Sequence, residues 1–259
     1  MIYSTIEVTD DALIRTITLH RPERLNALTP EMQVELMAAM EDAAASDCRV
    51  LVLAGAGKAF CSGLDLSVLQ TIEDKTASAF RVDAERIAKL FRTLYELPIP
   101  TIAAVHGAAI AGGAGLAMIC DFTLATPEAR FGFTEARIGF VPGLVSAFLA
   151  LQIGGKQSRD LLLAARLVNA EEASRMGLIN RVVPAGELAR EVQSLAELLL
   201  ANSPQSLAAT KRLLAEQNKK WLDAAIDAAI EASARSRESA DFREGIAAFL
   251  EKRKAVWPK

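Results

Sequence analysis

The stretch Ala111-Gly112-Gly113-Ala114-Gly115-Leu116-Ala117-Met118 decides the fold of this chain. A strand-like run, Thr101 to His106, leads into it, and a helix-like apolar run, Leu116 to Cys120, leads out of it. A strand–turn–helix arrangement directs free backbone N–H groups and the positive end of a helix dipole at any anion bound there. Because glycine has no side chain, a ligand oxygen can come within hydrogen-bonding distance of the backbone. The stretch therefore predicts an oxyanion-binding turn in an α/β domain.

A lone acidic residue, Glu135, follows the glycine-rich stretch at a distance of about two dozen residues. A carboxylate beside an oxyanion-binding turn makes a minimal proton-transfer site, since the turn stabilises the charge that proton removal creates. An apolar pocket would raise the pKa of this carboxyl group and make it a better proton acceptor near neutral pH. Glu135 is therefore the candidate general acid/base.

Strand-like and helix-like segments alternate through the first part of the chain. Alternation predicts a strand over Leu13 to Leu19, and wholly apolar or β-like runs predict strands at Val50 to Ala54 and Phe122 to Ala125. Thr29-Pro30 is typical of a helix start, and a second helix is predicted over Ala79 to Leu97. This order of elements indicates an α/β core.

Helical patterns dominate from about residue 158, with one short strand-like run at Ile179 to Val183. The predicted helices cover residues 158–163, 170–176, 187–201, 203–216 and 221–254. We therefore expect residues 1–195 to form the α/β core and residues 196–259 to form a helical C-terminal region.

Composition excludes several classes of protein. A net charge of -3 and a pI of about 5.6 do not indicate a nucleic-acid or anionic-membrane surface. Cys48, Cys61 and Cys120 stand too far apart for a disulfide framework, which favours a reducing cytoplasm. His20 and His106 belong to no zinc-binding pattern. The first residues lack the order of a signal peptide and no apolar run is long enough for a membrane span, so we expect a soluble cytoplasmic protein.

The sequence lacks the residues that nucleotide-binding and hydrolase motifs require at fixed positions. Gly55-Ala56-Gly57-Lys58 follows a strand, but Phe60 stands where a Rossmann fingerprint needs its third glycine. Gly155-Lys156 is followed by Gln157 rather than the Ser or Thr of a P-loop, and no GxSxG elbow exists. Two turns remain, residues 60–66 and 112–115, each after a strand, which together could direct two N–H donors at one oxygen.

Ordered matches to one family run along almost the whole chain, from about residue 5 to residue 257. They lie at residues 21–28, 58–66, 103–107, 112–121, 131–135, 171–180 and 244–254. On these residues the chain resembles the crotonase superfamily, the enoyl-CoA hydratase/isomerase family. The resemblance implies a crotonase-like spiral core of ββα units, which carries an acyl-CoA site within residues 1–195. It also implies that residues 196–259 build a homotrimer or homohexamer and contact coenzyme A.

The resemblance assigns roles to individual residues. It makes the N–H groups of Leu64 and Gly112 the oxyanion-hole donors for a thioester oxygen, with Glu135 as acid/base. The remaining implied contacts to substrate or coenzyme A are Arg24, Ser62, Leu66, Gly143, Phe249 and Lys252. Of these, Ser62 and Leu66, together with Leu64, would line the adenine pocket, Arg24 would face a phosphate, and Phe249 and Lys252 match positions that reach the coenzyme A of a neighbouring subunit. No metal or redox cofactor is implied, because coenzyme A arrives as part of the substrate.

One departure from the family pattern bears on the reaction. Hydratases of this family usually carry two glutamates, but the first of these positions is Gly115 here. Adding water to a conjugated double bond needs an activated water and a proton donor, whereas moving a double bond from C3 to C2 needs one base. Leu144, Val145 and Phe148 replace a glycine-rich run and would keep water out.

A single glutamate therefore favours isomerisation of a 3-enoyl-CoA. Hydration of a 2-enoyl-CoA remains an alternative, as do decarboxylation, thioester hydrolysis and a non-catalytic acyl-CoA-binding role. Residues 71–80, with Val68 and Leu69, are expected to shape the acyl pocket.

Overall fold

Two β-sheets organise the part of the chain that the computed structural model describes, residues 2–65 and 76–257. Their strands are, in chain order, β1 (Ile6–Asp11), β2 (Ile14–Leu19), β3 (Val50–Gly55), β4 (Thr101–Val105), β5 (Ala108–Ile110), β6 (Phe122–Ala125), β7 (Arg130–Gly132), β8 (Leu167–Asn169) and β9 (Arg181–Val182). The larger sheet has the order β1-β2-β3-β4-β6-β9, with β1 antiparallel to β2 and every later pair parallel. The smaller sheet has the order β5-β7-β8.

Helices cover both faces of the larger sheet and extend the chain at its C-terminal end. They are α1 (Pro30–Ala45), α2 (Ala77–Glu96), α3 (Gly112–Ile119), α4 (Gly143–Ala164), α5 (Ala170–Arg175), α6 (Leu188–Leu200), α7 (Pro204–Ser236) and α8 (Ala240–Leu250). The Thr29 side chain caps α1 by accepting from the Met32 N–H at 3.1 Å. Within the described residues, no helix is long and apolar enough to cross a membrane.

Strand β3 shows why the sheet is buried on both sides. Leu51 and Leu53 pack into the main core with α1, whereas Val50 and Val52 face the opposite side and pack against α6. A wholly apolar strand is stable in this position because each of its faces is covered by helices. The predicted α/β core is confirmed, with strands close to the expected bounds.

The structure differs from the sequence-based expectations at several elements. Strand β1 was not predicted, since three of its residues are acidic and its outer face is exposed, as an edge strand allows. Helix α4 begins at Gly143 rather than residue 158. The break expected at residues 217–220 is absent, because nothing in this polar run stops a helix, and α7 continues to Ser236. The break comes at residues 237–239, where Ser239 caps α8.

The expected boundary between residues 195 and 196 falls inside α6. The apolar face of this helix, which includes Val192, Leu195 and Leu199, packs on the larger sheet. Helix α7 then packs on α2 and α4, and α8 packs on the short 3₁₀ turn Glu135–Ile138. The C-terminal helices thus form one wall around the segment that carries Glu135, and the division into two regions stays a prediction.

Candidate active site

A largely apolar cavity of about 770 Å³ lies among α2, α8, the first turns of α3 and α4, and the end of α7. Glu135, Leu64 and Gly112 line it together, as the sequence predicts. The size falls within the range of small-molecule pockets, about 300–1,000 Å³.

The N–H of Leu64 is directed away from its neighbouring strand segment. Leu28 pairs in parallel with Leu64: the Leu28 N–H donates to the Gly63 carbonyl at 2.7 Å, and the Asp65 N–H donates to the Leu28 carbonyl at 3.1 Å. In a parallel bridge of this kind, the residue between the two bonded neighbours, here Leu64, directs its own N–H away from the partner strand. Gly112 is the first residue of α3, so its N–H has no acceptor within the helix. Both donors are therefore oriented for a ligand.

Gly63 brings these two turns into contact. Its φ is +90°, a conformation that favours glycine. A Cβ at this position would lie 2.9 Å from the Ala111 Cβ and the Ile110 carbonyl oxygen, and 3.4 Å from the Gly112 nitrogen. The turn that carries Leu64 thus packs directly against the N-terminus of α3. This contact brings the Leu64 turn close to the N-terminal N–H groups of α3, as two donors to one oxygen would require.

Glu135 begins the 3₁₀ turn Glu135–Ile138, just after β7. The residue is only 8 % exposed, and its Oε2 is buried with no hydrogen-bond partner among the described residues. Burial raises the pKa of this carboxyl group to about 7, although a backbone hydrogen bond opposes the shift. Because proton transfer is most effective when the pKa lies near the working pH, Glu135 can both accept and return a proton.

Gly115 stands at the position where hydratases of the family usually carry their other glutamate, and apolar side chains fill the space in front of it. A Cβ on Gly115 would stand 2.7 Å from Phe91 Cζ and 3.0 Å from Val145 Cγ1. Both of these residues line the cavity, and the Phe91 ring packs edge-on against Phe148 with centroids 6.0 Å apart. The structure therefore leaves no space for an acidic side chain at position 115, since it would have to displace this aromatic pair.

Asp65 is the other carboxylate among the described residues that line the cavity. Its Oδ2 accepts from Arg21 Nη1 at 2.9 Å, and the same nitrogen donates to the Ala27 carbonyl at 2.7 Å. The ion pair ties the turn at residues 62–65 to the segment before α1. Asp65 thus helps to position the turn that carries Leu64.

The structure places most of the predicted binding residues on the cavity wall. Arg24, Ser62, Gly143 and Phe249 line it, as do Leu144 and Val145, while Phe148 lies behind Phe91. Phe249 lines the cavity of its own chain, where α8 packs on Glu135–Ile138, and its expected contact with the coenzyme A of a neighbouring subunit stays a prediction. Lys252 is exposed beyond the end of α8 and is not part of this lining.

Leu66, Val68, Leu69 and residues 71–75 lie outside the described residues. Sequence reasoning missed Phe91, Ser233 and Arg237, three further residues that line the cavity. The helical periodicity of α2 marks Phe91 as a core residue but does not reveal what it faces. Ser233 and Arg237 belong to no recognisable motif.

No group of three or more His, Cys, Asp or Glu side chains suited to a metal ion occurs in the part of the chain that the structure describes. The expectation that the reaction needs no metal or redox cofactor stays a prediction. The chemistry open to the described residues is proton transfer beside two backbone donors.

Comparison with known proteins gives matches over nearly the full length. The family model described as "Enoyl-CoA hydratase/isomerase" matches residues 9–259. A Thermus thermophilus protein, provisionally classed as an enoyl-CoA hydratase, is 44% identical over 241 residues, which cover 93% of this chain and 95% of the relative. The 1,2-epoxyphenylacetyl-CoA isomerase of Escherichia coli K12 is 33% identical over 93% of each chain.

Solved structures give the same result for the fold. The crystal structure of an enoyl-CoA hydratase/isomerase from Xanthobacter autotrophicus Py2 superposes with a TM-score of 0.90 at 32% identity and covers 100% of both chains. This agreement confirms the crotonase-like α/β fold and the helical C-terminal region expected from the sequence.

Proposed function

This chain belongs to the enoyl-CoA hydratase/isomerase family of enzymes, which act on acyl-CoA thioesters, and we propose that it converts a 3-enoyl-CoA into the conjugated 2-enoyl-CoA. The observation that carries the proposal is the replacement of the second acid: Phe91 and Val145 occupy the space in front of Gly115. Glu135 is left to act as a single acid/base.

The proposed reaction uses the two backbone donors and one carboxylate. The thioester oxygen accepts from the N–H groups of Leu64 and Gly112. Glu135 removes a proton from C2, the C2–H electron pair moves into the thioester, and a dienolate forms whose negative oxygen lies in the oxyanion hole. Glu135 then returns the proton to C4, so that the C3–C4 double bond becomes a C2–C3 double bond. No atom is gained or lost.

The surroundings of Glu135 support isomerisation over hydration. A hydratase must hold a water molecule at C3, and two carboxylates usually do this. Here the nearby wall consists of Phe91, Leu144 and Val145, which offer a water molecule no hydrogen bond from their side chains. An apolar wall also favours the neutral form of Glu135 once it has accepted the proton.

Hydration of a 2-enoyl-CoA is the second candidate, because the Thermus thermophilus relative is classed as a hydratase. In that case a second polar group, such as a backbone carbonyl near the cavity, would have to hold the water molecule in place of the missing glutamate.

Incubation with 2-enoyl-CoA and 3-enoyl-CoA thioesters of several chain lengths, followed by mass spectrometry and ultraviolet detection of conjugation, separates the candidates. We expect a 3-enoyl substrate to gain conjugation at unchanged mass. A gain of one water from the 2-enoyl substrate as the main reaction would contradict the proposal and identify a hydratase. Glu135→Gln should lower turnover by about 10²–10⁴, while the exposed control Glu128→Gln should not.

The coenzyme A and subunit contacts implied by the family belong to the same proposal. Arg24 and Ser62 line one side of the cavity and would face coenzyme A, with Phe249 closing the wall from α8. We also propose a homotrimer or homohexamer, supported by large exposed apolar side chains on α6 and α7, namely Leu198, Leu213, Leu214 and Trp221. Light scattering of the purified protein tests this, and a monomer would contradict it.

A further inference from the structure

Arg237 is a buried cation on the wall of an otherwise largely apolar cavity. It follows the last residue of α7, is only 3% exposed, and lines the same cavity as Glu135. Its guanidinium carbon lies 5.3 Å from the centre of the Phe140 ring and 5.9 Å from that of Phe80. A guanidinium stays protonated in proteins, so this wall of the cavity carries a positive charge in a nearly water-free setting.

The N–H donors of Arg237 are only partly hydrogen-bonded within the described residues. Of its five N–H donors, Nη1 lies 3.3 Å from Asp83 Oδ2, at the long end of the hydrogen-bond range. Nε is buried and has no partner among the described residues. A buried guanidinium with unmet donors is costly, which makes it a place where a ligand acceptor would be strongly favoured.

The Asp83 carboxylate next to Arg237 also pairs with a second arginine. Asp83 also pairs with Arg86, whose Nε donates to the Gln33 side chain at 3.1 Å. Two guanidinium groups thus face one carboxylate, which leaves a net positive charge in the cluster. This imbalance favours an anionic ligand group over a neutral one, since only an anion would neutralise it.

The placement of Arg237 fits the far end of an acyl group. The oxyanion donors lie on the turn at residues 62–65 and at the start of α3, whereas Arg237 contacts α2 and Phe140. Ser233, one helical turn before Arg237, also lines the cavity, and its Oγ would lie 2.8 Å from a Cβ on Gly143. A thioester whose oxygen lies in the oxyanion hole must extend its acyl chain toward one of the remaining walls, and this wall carries the buried cation, whereas Arg137, which also lines the cavity, is exposed.

We propose that Arg237, assisted by the hydroxyl group of Ser233, binds a carboxylate at the far end of the acyl chain. The preferred substrates would then be enoyl-CoA thioesters that end in a carboxylate rather than a methyl group. This inference rests on the proposed function, because the family's thioester position defines which end of the cavity is the far one. Arg237 acts here on specificity and takes no part in the proton transfer.

Calorimetric titration with saturated acyl-CoA thioesters tests the inference without requiring turnover. At each of several chain lengths, one thioester ends in a methyl group and its partner ends in a carboxylate. We expect wild-type protein to bind the carboxylate-ended member at least about tenfold more tightly at the best length, as a charge-assisted pair in a dry site allows. Arg237→Met should remove this preference and leave binding of the methyl-ended member unchanged, while Arg237→Lys should keep part of it.

Arg86→Met is the matched control, because Arg86 contacts the same Asp83 but does not line the cavity. This variant should keep at least part of the preference, because it removes the second positive charge of the cluster but leaves the Arg237 donors on the cavity wall. Equal or tighter binding of methyl-ended thioesters at every length would overturn the inference, as would an Arg237→Met variant that weakens both members equally, which is the result of a purely structural role. If isomerisation is observed without the preference, only this inference fails; if neither thioester binds, the proposed function fails as well.

Discussion

Phe91 occupies the space in front of Gly115: its Cζ would lie 2.7 Å from a Cβ built on that glycine. Gly115→Glu should therefore destabilise the protein instead of restoring a second catalytic acid. Overpacking of a dense core typically costs about 1–3 kcal/mol, which thermal unfolding would register as a lower Tm. The double variant Gly115→Glu with Phe91→Ala should recover part of this loss, because the added side chain would then have space.

The exposed helical position Gly155 provides the control for this prediction. The nearest atom to a Cβ there is the flexible end of Arg159, at 3.4 Å. Gly155→Glu should leave Tm almost unchanged. Equal Tm values for the two single variants would show that the contact between Phe91 and Gly115 is not tight in solution.

The raised pKa of Glu135 predicts the pH dependence of turnover. The carboxylate form is the base, so kcat/KM of the wild-type enzyme should rise with pH and level off above an apparent pKa of about 7. Glu135→Gln should reduce kcat/KM by about 10²–10⁴, the usual contribution of a general acid/base, and the residual rate should lack this pH step. A wild-type profile that is already flat from pH 5 upward would contradict the assigned role.

The same pKa shift also predicts how stability changes with pH. The pKa of Glu135 is about 7 in the folded protein and about 4.5 when unfolded, so folded protein binds the extra proton between these values. The stabilisation is therefore complete below about pH 4.5 and is lost as the pH rises through about 7. Since one pKa unit corresponds to about 1.4 kcal/mol, the loss amounts to a few kcal/mol.

Glu135→Gln removes this titration, so its Tm relative to wild type should increase between pH 5 and pH 8. The comparison at each pH cancels the effects of all other groups. A Tm difference that does not change with pH would mean that Glu135 is already ionised, or well hydrated, in the folded enzyme.

Local sequence signals were sufficient to pick out the residues that line the candidate site together. Gly112 and Leu64 sit in turns whose residues indicate free N–H groups, and Glu135 stands alone after β7. These features depend on a few adjacent residues, which is why they could be predicted. The Asn26 side chain was only a family match, yet its Nδ2 donates to the carbonyls of Ala56, Ala59 and Phe60 at 2.8, 2.8 and 3.2 Å.

Contacts between distant segments were not predictable from these signals. Phe91 faces Gly115 only because α2 packs on α3, and no periodicity in α2 specifies that partner. Arg237 reaches the cavity because α7 continues to Ser236, beyond the polar run at residues 217–220 where a break was expected. Long-range packing thus determines the shape and charge of the cavity, whereas short motifs predict the candidate reacting groups.

The contact between Gly63 and Ala111 gives a last prediction, on the oxyanion hole itself. Gly63→Ala would place a Cβ 2.9 Å from the Ala111 Cβ in a backbone with φ of +90°. The two turns would have to move apart, and with them the N–H groups of Leu64 and Gly112. Because the loss of one oxyanion donor typically costs about 10²–10³ in kcat, we expect a fall of about that size, measured as initial rates on the 3-enoyl substrate.

Gly177 has a similar φ of +78° but no atom within 4 Å of its Cβ position, so Gly177→Ala should lower Tm through backbone strain and leave kcat intact. Equal losses of kcat in the two variants would assign the effect to general destabilisation rather than to the geometry of the donors.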